Sequence, residues 1–350
     1  CMSKLTKLRT LLKTEKIDGI FIKGDTSLRY FTGFTGGESL LYVDKEQAVI
    51  ITDSRYILQA GEQAPNCTIV EHTNGFWPEV AKLEVGTNLG LDGDYFSYTE
   101  QTALAKALPK ALWKNLELSK LRQVKSQEEI ALIQKAVDIS DQAFAQLIPN
   151  IKAGRKECDL AAELEYYMRL LGSEKTSFTT IVASGVRGAL PHGVASDKRI
   201  QLGELVTFDF GATYHGYCSD ITRTVCIGEA ETWQREIYSI VLEANFLGEK
   251  IAKPGVSGFA VDKRVRDFIA KKGYGAYFRH GLGHGVGMDI HEHPVVNSRN
   301  KEPLPVNAIV TIEPGIYLPN KGGLRIEDTV LITDTGCQRL TNAPKELLEL

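Results

Sequence analysis

The fold is decided by residues 206–212, which read VTFDFGA. Apolar side chains alternate here with Thr207 and Asp209, so the pattern predicts a β-strand that carries a carboxylate on one face. Burying a charged carboxylate between Phe208 and Phe210 costs free energy unless the group is paired or binds a metal ion. The run therefore predicts a functional acid within the core.

Three further acids occur in comparable settings. The sequence predicts two β-hairpins, one pairing residues 205–212 with 217–227 and one pairing residues 308–318 with 323–333. Each of the four strands carries one candidate carboxylate: Asp209, Asp220, Glu313 and Glu327. Two such similar hairpins are consistent with an internal duplication.

A histidine-rich region lies between and beyond the hairpins. Six of the seven histidines fall between His192 and His293, and residues 280–287 read HGLGHGVG. Glycine lets a backbone approach a site closely and adopt positive φ. The clustering favours His284 as a ligand, although an isolated histidine is more often a packed core residue.

These donors form the ligand set of two divalent cations. Four carboxylates and one imidazole suit Mn²⁺, Co²⁺ or Fe²⁺ better than structural zinc, which favours Cys and His. Two cations about 3.5–4 Å apart can activate a water and polarise a carbonyl together. The sequence therefore predicts hydrolytic chemistry.

Bulk properties narrow the class of protein. A chain of 350 residues suits two domains. The formal net charge of -3 gives no electrostatic case for nucleic acid or an anionic membrane, and no apolar run reaches the roughly 18–20 residues of a membrane span. The N-terminal residues lack the apolar core of a signal peptide, and the six cysteines are scattered. We expect a cytoplasmic protein.

The chain divides near residue 122. The first part predicts a small α/β domain with helices over residues 3–15 and 54–64 and short strands at 19–22, 40–43, 48–52 and 88–92. The second part begins with a capping box, Ser126 with Glu129, ahead of a helix of about 20 residues. Further helices are predicted over residues 157–171, from Thr232 as N-cap candidate to about 254, and over 257–272.

With these motifs in place, the chain resembles the pita-bread metallopeptidases of family M24, which include aminopeptidase P, prolidase and methionine aminopeptidase. The matching stretches are residues 177–193, 209–212, 216–224, 280–284, 291–294, 312–317 and 325–328, with weaker matches at 30–34 and 52–56. The resemblance implies an α/β protein of two domains. These are a small creatinase/prolidase-like N-terminal α/β domain, residues 2–122, and a C-terminal pita-bread (α+β) catalytic domain, residues 123–350.

The resemblance also implies how the metals are held. Asp209 is expected to bind one ion, His284 and Glu313 the other, and Asp220 and Glu327 both. Mn²⁺ is the metal we expect, with Co²⁺, Fe²⁺ or Zn²⁺ as alternatives.

The remaining site residues are expected to act on the substrate. The resemblance makes Glu313 the general base and makes His192 and His291 contacts of the substrate and transition state. It places His280 and Arg325 in the substrate pocket. The expected partner is a proline-containing peptide, and the expected assembly is a homodimer.

Within the family, the presence of all five ligands argues against creatinase, and the extra N-terminal domain disfavours methionine aminopeptidase. Some prolidases carry an arginine directly after the His-Glu-x-Pro motif, where this chain has Val295. We therefore expect an Xaa-Pro aminopeptidase, with an Xaa-Pro dipeptidase (prolidase) as the alternative. A distant alternative is a non-catalytic binding protein of the same fold.

Overall fold

The computed structural model describes residues 3–350, which form two compact units, one ending at Leu121 and one running from Arg122 to Leu350. Five helices occur in the first unit: α1 (Lys4–Glu15), α2 (Asp25–Thr32), α3 (Ile57–Gln63), α4 (Phe76–Val80) and α5 (Tyr98–Ala107). Its strands are β1 (Gly19–Ile22), β2 (Leu40–Asp44), β3 (Ala48–Thr52), β4 (Thr68–Glu71), β5 (Asn88–Asp92) and β6 (Leu112–Leu116).

These six strands form one mixed sheet in the order β4-β3-β2-β1-β5-β6. The four strands predicted from apolar runs are all present, because their side chains fill the core of the unit. The predicted helix over 54–64 begins only at Ile57. Helix α5 was missed although the sequence carries its signal, a capping box formed by Ser97 and Glu100.

The second unit contains four long helices: α6 (Gln127–Leu147), α7 (Glu157–Leu170), α8 (Thr232–Ile251) and α9 (Gly258–Lys271). Its strands in the first half are β7 (Lys175–Thr176), β8 (Ile181–Ser184), β9 (Leu205–Phe210), β10 (Ala212–Tyr214), β11 (Tyr217–Cys218) and β12 (Ile221–Cys226). Those in the second half are β13 (Gly283–Gly285), β14 (Glu292–Val296), β15 (Ile309–Ile312), β16 (Gly315–Leu318), β17 (Gly322–Arg325), β18 (Asp328–Ile332) and β19 (Cys337–Arg339). Within residues 3–350, every helix lacks the length or the apolar character that a membrane span requires.

Each half of this unit packs two helices against a sheet. Helices α6 and α7 cover the sheet β12-β9-β8, and α8 and α9 cover the sheet β14-β13-β15-β18-β19. Phe208 and Phe210 of β9 pack on Phe144 of α6, with ring centroids 5.7 and 5.4 Å away. Burying a phenylalanine contributes about 1.5–3 kcal/mol, so these two rings fix which face of β9 meets the helices and turn Asp209 the other way.

Both predicted hairpins are present, but each is interrupted. In the first, β9 pairs with β12 while β10 pairs with β11; in the second, β15 pairs with β18 while β16 pairs with β17. Asp220 lies at the interruption of the first hairpin, and Glu313 and Glu327 lie at the interruptions of the second. These three acids are therefore not inside strands as predicted. The N-cap of α8 is Glu231, which shares a capping box with Gln234, so the prediction of Thr232 as N-cap was wrong by one residue.

Candidate metal centre

The first hairpin supplies two of the predicted ligands. Asp209 lies opposite Thr222 in the register of β9 and β12, and Asp220 directly precedes β12. Thr222 therefore lies on the same face as Asp209, and Asp220, two residues earlier, lines the same cavity as Asp209. The pairing therefore brings both carboxylates to one side of the sheet.

The second hairpin supplies two more. Glu313 follows β15 and Glu327 precedes β18, and the register pairs Ile312 with Asp328 between them. The Glu327 amide donates to the Thr222 carbonyl oxygen at 3.1 Å, and Thr222 Oγ1 donates to Glu327 Oε2 at 2.6 Å. Thr222 thus joins the two halves of the unit at the point where the acids meet.

His284 completes the group from β13, the strand beside β15. Its Nε2 lies 3.4 Å from Asp220 Oδ2 and 3.5 Å from Glu313 Oε1. Ligand atoms of Asp220, His284 and Glu327 all lie within 4.8 Å of one another. These three side chains come from both halves and converge as donors around a common ion do.

The two glycines of β13 allow this approach. A Cβ on Gly283 would lie 2.0 Å from the Thr311 carbonyl oxygen, and one on Gly285 would lie 2.5 Å from that of His293. Neither glycine adopts positive φ, so close packing of the backbone and not unusual torsion requires them.

All nine site residues predicted from the sequence line one cavity of about 590 Å³ in the second unit. They are Asp209, Asp220, His284, Glu313, Glu327, His192, His280, His291 and Arg325. Asp209 and Glu313 lie outside the tight group of three donors but face the same space.

Negative charge exceeds positive charge in this cavity. Burial, followed by repulsion from neighbouring acids, raises the pKa of Asp220 and of Glu327 well above the ordinary values. Burial also raises the pKa of Glu313 to about 8. Four acids share one guanidinium, Arg325, so this part of the protein lacks positive charge that bound cations can supply.

Arg325 organises the rest of the site. It donates to Asp209 Oδ2, to Thr222 Oγ1 at 3.0 Å and to Tyr317 Oη at 2.8 Å. Tyr317 Oη also lies 2.8 Å from His280 Nε2. A hydrogen-bonded chain therefore links His280 to Asp209 through Tyr317 and Arg325.

Tyr317 and Thr222 were not predicted as site residues. Both residues lie in stretches that match the family, 216–224 and 312–317, but neither was assigned a role there. For Tyr317 a weak signal existed, because its cross-strand partner Gly323 and the nearby Gly315 leave room for a large side chain.

Burial keeps His280, His284 and His291 in the neutral form. Burial lowers the pKa of His284 to about 3 and that of His280 to about 4, and burial also lowers the pKa of His291. A neutral imidazole is the form that binds a metal ion. The His291 ring packs edge-on against His284, with centroids 4.3 Å apart.

The residues present fit a metal pair. Among residues 3–350, Asp209 Oδ1 is buried and has no hydrogen-bond partner, although it faces the cavity. Such an orphaned acceptor beside three converging donors is the arrangement expected of a ligand to a cation.

Two family models match the chain. The model of metallopeptidase family M24 matches residues 131–334, and that of the creatinase/prolidase N-terminal domain matches residues 4–124. The chain belongs to metallopeptidase family M24. This membership confirms the predicted α/β class with two domains and the predicted hydrolase class.

Individual M24 proteins resemble this one over almost its whole length. The Xaa-Pro dipeptidase of Pyrococcus furiosus is 41% identical, and the match covers 99% of each chain. The solved structure of an Xaa-Pro dipeptidase from Bacillus anthracis has a TM-score of 0.95 at 43% identity, covering 99% of each chain. That of an X-Pro aminopeptidase from Thermotoga maritima has a TM-score of 0.92 at 40% identity, covering 100% of each chain.

Proposed function

We propose that this M24 metallopeptidase is an Xaa-Pro dipeptidase (prolidase) that hydrolyses the peptide bond before proline. The convergence of Asp220, His284 and Glu327 in a cavity lined by the other predicted site residues carries the proposal. Similar proteins from Pyrococcus furiosus and Bacillus anthracis bear the dipeptidase name, so they favour the dipeptidase over the aminopeptidase that the sequence alone favours.

In this proposal Asp209 would hold one divalent ion, His284 and Glu313 would hold a second, and Asp220 and Glu327 would contribute to holding both. When bound, such a pair lowers the pKa of a water and polarises the scissile carbonyl. Oxygen-rich ligation with a single imidazole supports Mn²⁺ as the metal.

Glu313 acts as the general base, taking the proton of the attacking water and delivering it to the leaving proline nitrogen. Thr311 Oγ1 donates to Glu313 Oε1 at 3.3 Å and so orients the carboxylate. His280 Nδ1 lies 3.9 Å from Glu313 Oε2, the oxygen available for the proton transfer.

The apolar part of the cavity suits the proline ring. Phe178, Ile181 and Ile290 line this part, and His192 and His291 line the same cavity, where they can contact the peptide. A pocket that combines apolar walls with a few polar groups fixes both the ring and the orientation of the bond to be cleaved.

An Xaa-Pro aminopeptidase is the second candidate. Val295 lines the cavity, so this position offers no charge to the carboxylate of a dipeptide. The similar structure from Thermotoga maritima also bears the aminopeptidase name.

The test compares Ala-Pro with Ala-Pro-Ala after reconstitution with Mn²⁺. We expect turnover of Ala-Pro and at most trace turnover of Ala-Pro-Ala, both measured as release of free alanine, which either substrate yields when the bond before proline is cleaved. Comparable cleavage of the tripeptide establishes the aminopeptidase instead, and cleavage of neither supports a binding protein. The Asp220→Asn variant, purified in parallel, reports any contaminating peptidase.

We also propose that the enzyme works in the cytoplasm as a homodimer. Five cysteines, Cys67, Cys158, Cys218, Cys226 and Cys337, are free in the described chain, which supports a reducing compartment. Dimerisation is supported by the resemblance to enzymes that dimerise, and sedimentation velocity tests it directly: a monomer at micromolar concentration contradicts the proposal.

A further inference from the structure

A second cluster of charges lies beside the cavity without lining it. Lys125 Nζ donates to Glu292 Oε1 at 2.7 Å, and Arg122 Nε donates to Glu292 Oε2 at 3.4 Å. Arg122 also pairs with Asp289. The side chains of Arg122, Lys125 and Glu292 are 3%, 2% and 1% exposed, so this is a buried cluster and not a surface ion pair.

The cluster is joined to the site through the backbone. Glu292 is the first residue of β14 and directly follows His291, the cavity residue whose ring packs on His284. On β14 the side chains alternate, so Glu292 points into the protein interior. Fixing the Glu292 carboxylate therefore fixes the backbone from which His291 projects.

His291 depends on this anchoring because its own ring is weakly held. Within residues 3–350 the His291 ring makes no hydrogen bond, and its ring contact is with His284. Glu292, which directly follows His291, is held by Arg122 and Lys125.

The surrounding loop is shaped around the same carboxylate. A Cβ on Gly287 would lie 2.3 Å from Glu292 Oε1, so a larger residue would displace the glutamate. The Asp289 amide donates to Glu292 Oε2 at 3.4 Å. On the other side, the Lys125 amide donates to the Asn307 carbonyl oxygen at 2.9 Å and fixes the segment that carries the two cations.

Charge balance separates this cluster from the metal site. Two cations face two carboxylates here, so the cluster is compensated by the protein and calls for no added ion. A buried, compensated cluster contributes little net stability compared with apolar residues of the same volume, but it imposes one arrangement on the groups it joins.

We infer that Arg122 and Lys125 are positioning residues that hold His291 over the metal site through Glu292. The inference rests on the proposed function for its kinetic test. It assigns no chemical step to the three charged residues, because none of them lines the cavity.

A double-mutant cycle tests the inference. Glu292→Gln and His291→Ala are measured singly and together for kcat and KM on Ala-Pro at saturating Mn²⁺, with metal content determined for each. Glu292→Gln alone should lower kcat about tenfold with little change in KM or metal content. In the His291→Ala background the same change should alter kcat by less than about twofold, because residues that act through one another are non-additive.

Two further variants give the controls. Lys125→Arg keeps the charge and should retain most activity, whereas Lys125→Met should behave as Glu292→Gln and replaces it if that variant does not fold. Glu163→Gln is matched chemically, since Glu163 of α7 accepts hydrogen bonds from Arg155 and Tyr167 and does not line the cavity. It should leave kcat unchanged.

Fully additive losses in the cycle, or loss of metal in Glu292→Gln, overturn the inference. A measurement that does not depend on turnover separates a failure of this inference from a failure of the proposed function. In protein labelled with ¹⁵N-histidine and loaded with diamagnetic Zn²⁺, the His291 ring signals should shift or broaden in Glu292→Gln and Lys125→Met but not in Glu163→Gln. Unchanged His291 signals in the first two variants refute the positioning role, whether or not Ala-Pro is a substrate.

Discussion

Glu327 and Asp328 are adjacent buried acids, yet they lie in opposite electrostatic environments. Glu327 faces the cavity, and burial together with repulsion from Glu313 raises its pKa well above the ordinary value. Burial acts on Asp328 in the same direction, but the positive charges of Arg223 and Lys345 outweigh it and lower the pKa of Asp328. Arg223 Nη2 lies 2.8 Å from Asp328 Oδ1, and Lys345 Nζ lies 2.9 Å from Asp328 Oδ2.

The difference teaches what marks a metal site in this fold. Behind the strand, Asp328 is matched by cations of the protein, and the cluster is a structural network. In front of it, four acids share Arg325, and this shortage of positive charge distinguishes the proposed ligands from ordinary buried ion pairs.

The largest effect is expected from Asp220→Asn. Turnover should fall on the order of 10³-fold or more, because Asp220 would no longer help to hold both metal ions. The metal-free variant should unfold at the same or a higher temperature than metal-free wild type, because one of the mutually repelling acids is neutral. Activity assays, metal content and thermal unfolding check this.

Added Mn²⁺ supplies the control for Asp220→Asn. It should raise the unfolding temperature of the wild type but not of the variant, since a ligand stabilises only the folded state that binds it. A variant that keeps stoichiometric metal and near wild-type turnover shows that Asp220 is not a bridging ligand.

Asp328→Asn should lower the stability of the metal-free protein, the opposite of the effect expected from Asp220→Asn. Removing this carboxylate leaves Arg223 and Lys345 buried without their partner, so metal-free stability should fall by about 3 kcal/mol. Denaturant unfolding of the metal-free protein measures the loss. Asp267→Asn, which removes an exposed acid paired with Lys263 on α9, should cause no measurable change. A fully stable Asp328→Asn protein breaks the distinction between the two clusters.

The sequence indicated the residues of this cavity because the acids among them occur in unusual places. Asp209 could be found because two phenylalanines flank it in an alternating strand, and the glycines around His284 indicated close packing. Those signals depend only on neighbours along the chain, as does the capping box of Ser126 and Glu129, which is present.

What the sequence could not predict depends on contacts between distant residues. Thr222 becomes important only because β12 meets Glu327, 105 residues later. Lys125 meets Glu292 across 167 residues, and neither side chain carries a local signal of that pairing. The interruptions at Asp220, Glu313 and Glu327 were missed for a related reason, because alternation continues through them and only the pairing partner changes.

An intermediate effect is expected from His192→Ala. His192 lines the cavity but lies outside the converging donors, so the variant should keep its metals and lose at least about tenfold in kcat/KM. Metal analysis beside steady-state kinetics checks both parts. Loss of metal would show that His192 is also a ligand, in addition to the four acids and His284.

The smallest effect is expected from Tyr317→Phe, which removes one hydroxyl from the chain that links His280 to Arg325. A hydrogen bond of this kind is worth about 0.5–1.5 kcal/mol, so kcat/KM should fall about threefold. The matched control is Tyr238→Phe, because the Tyr238 hydroxyl is also buried but donates to the Lys345 carbonyl oxygen behind the strand. That variant should lower stability slightly and leave kcat/KM unchanged. If both variants lose stability but keep their kcat/KM, Tyr317 belongs with the structural network and not with the site.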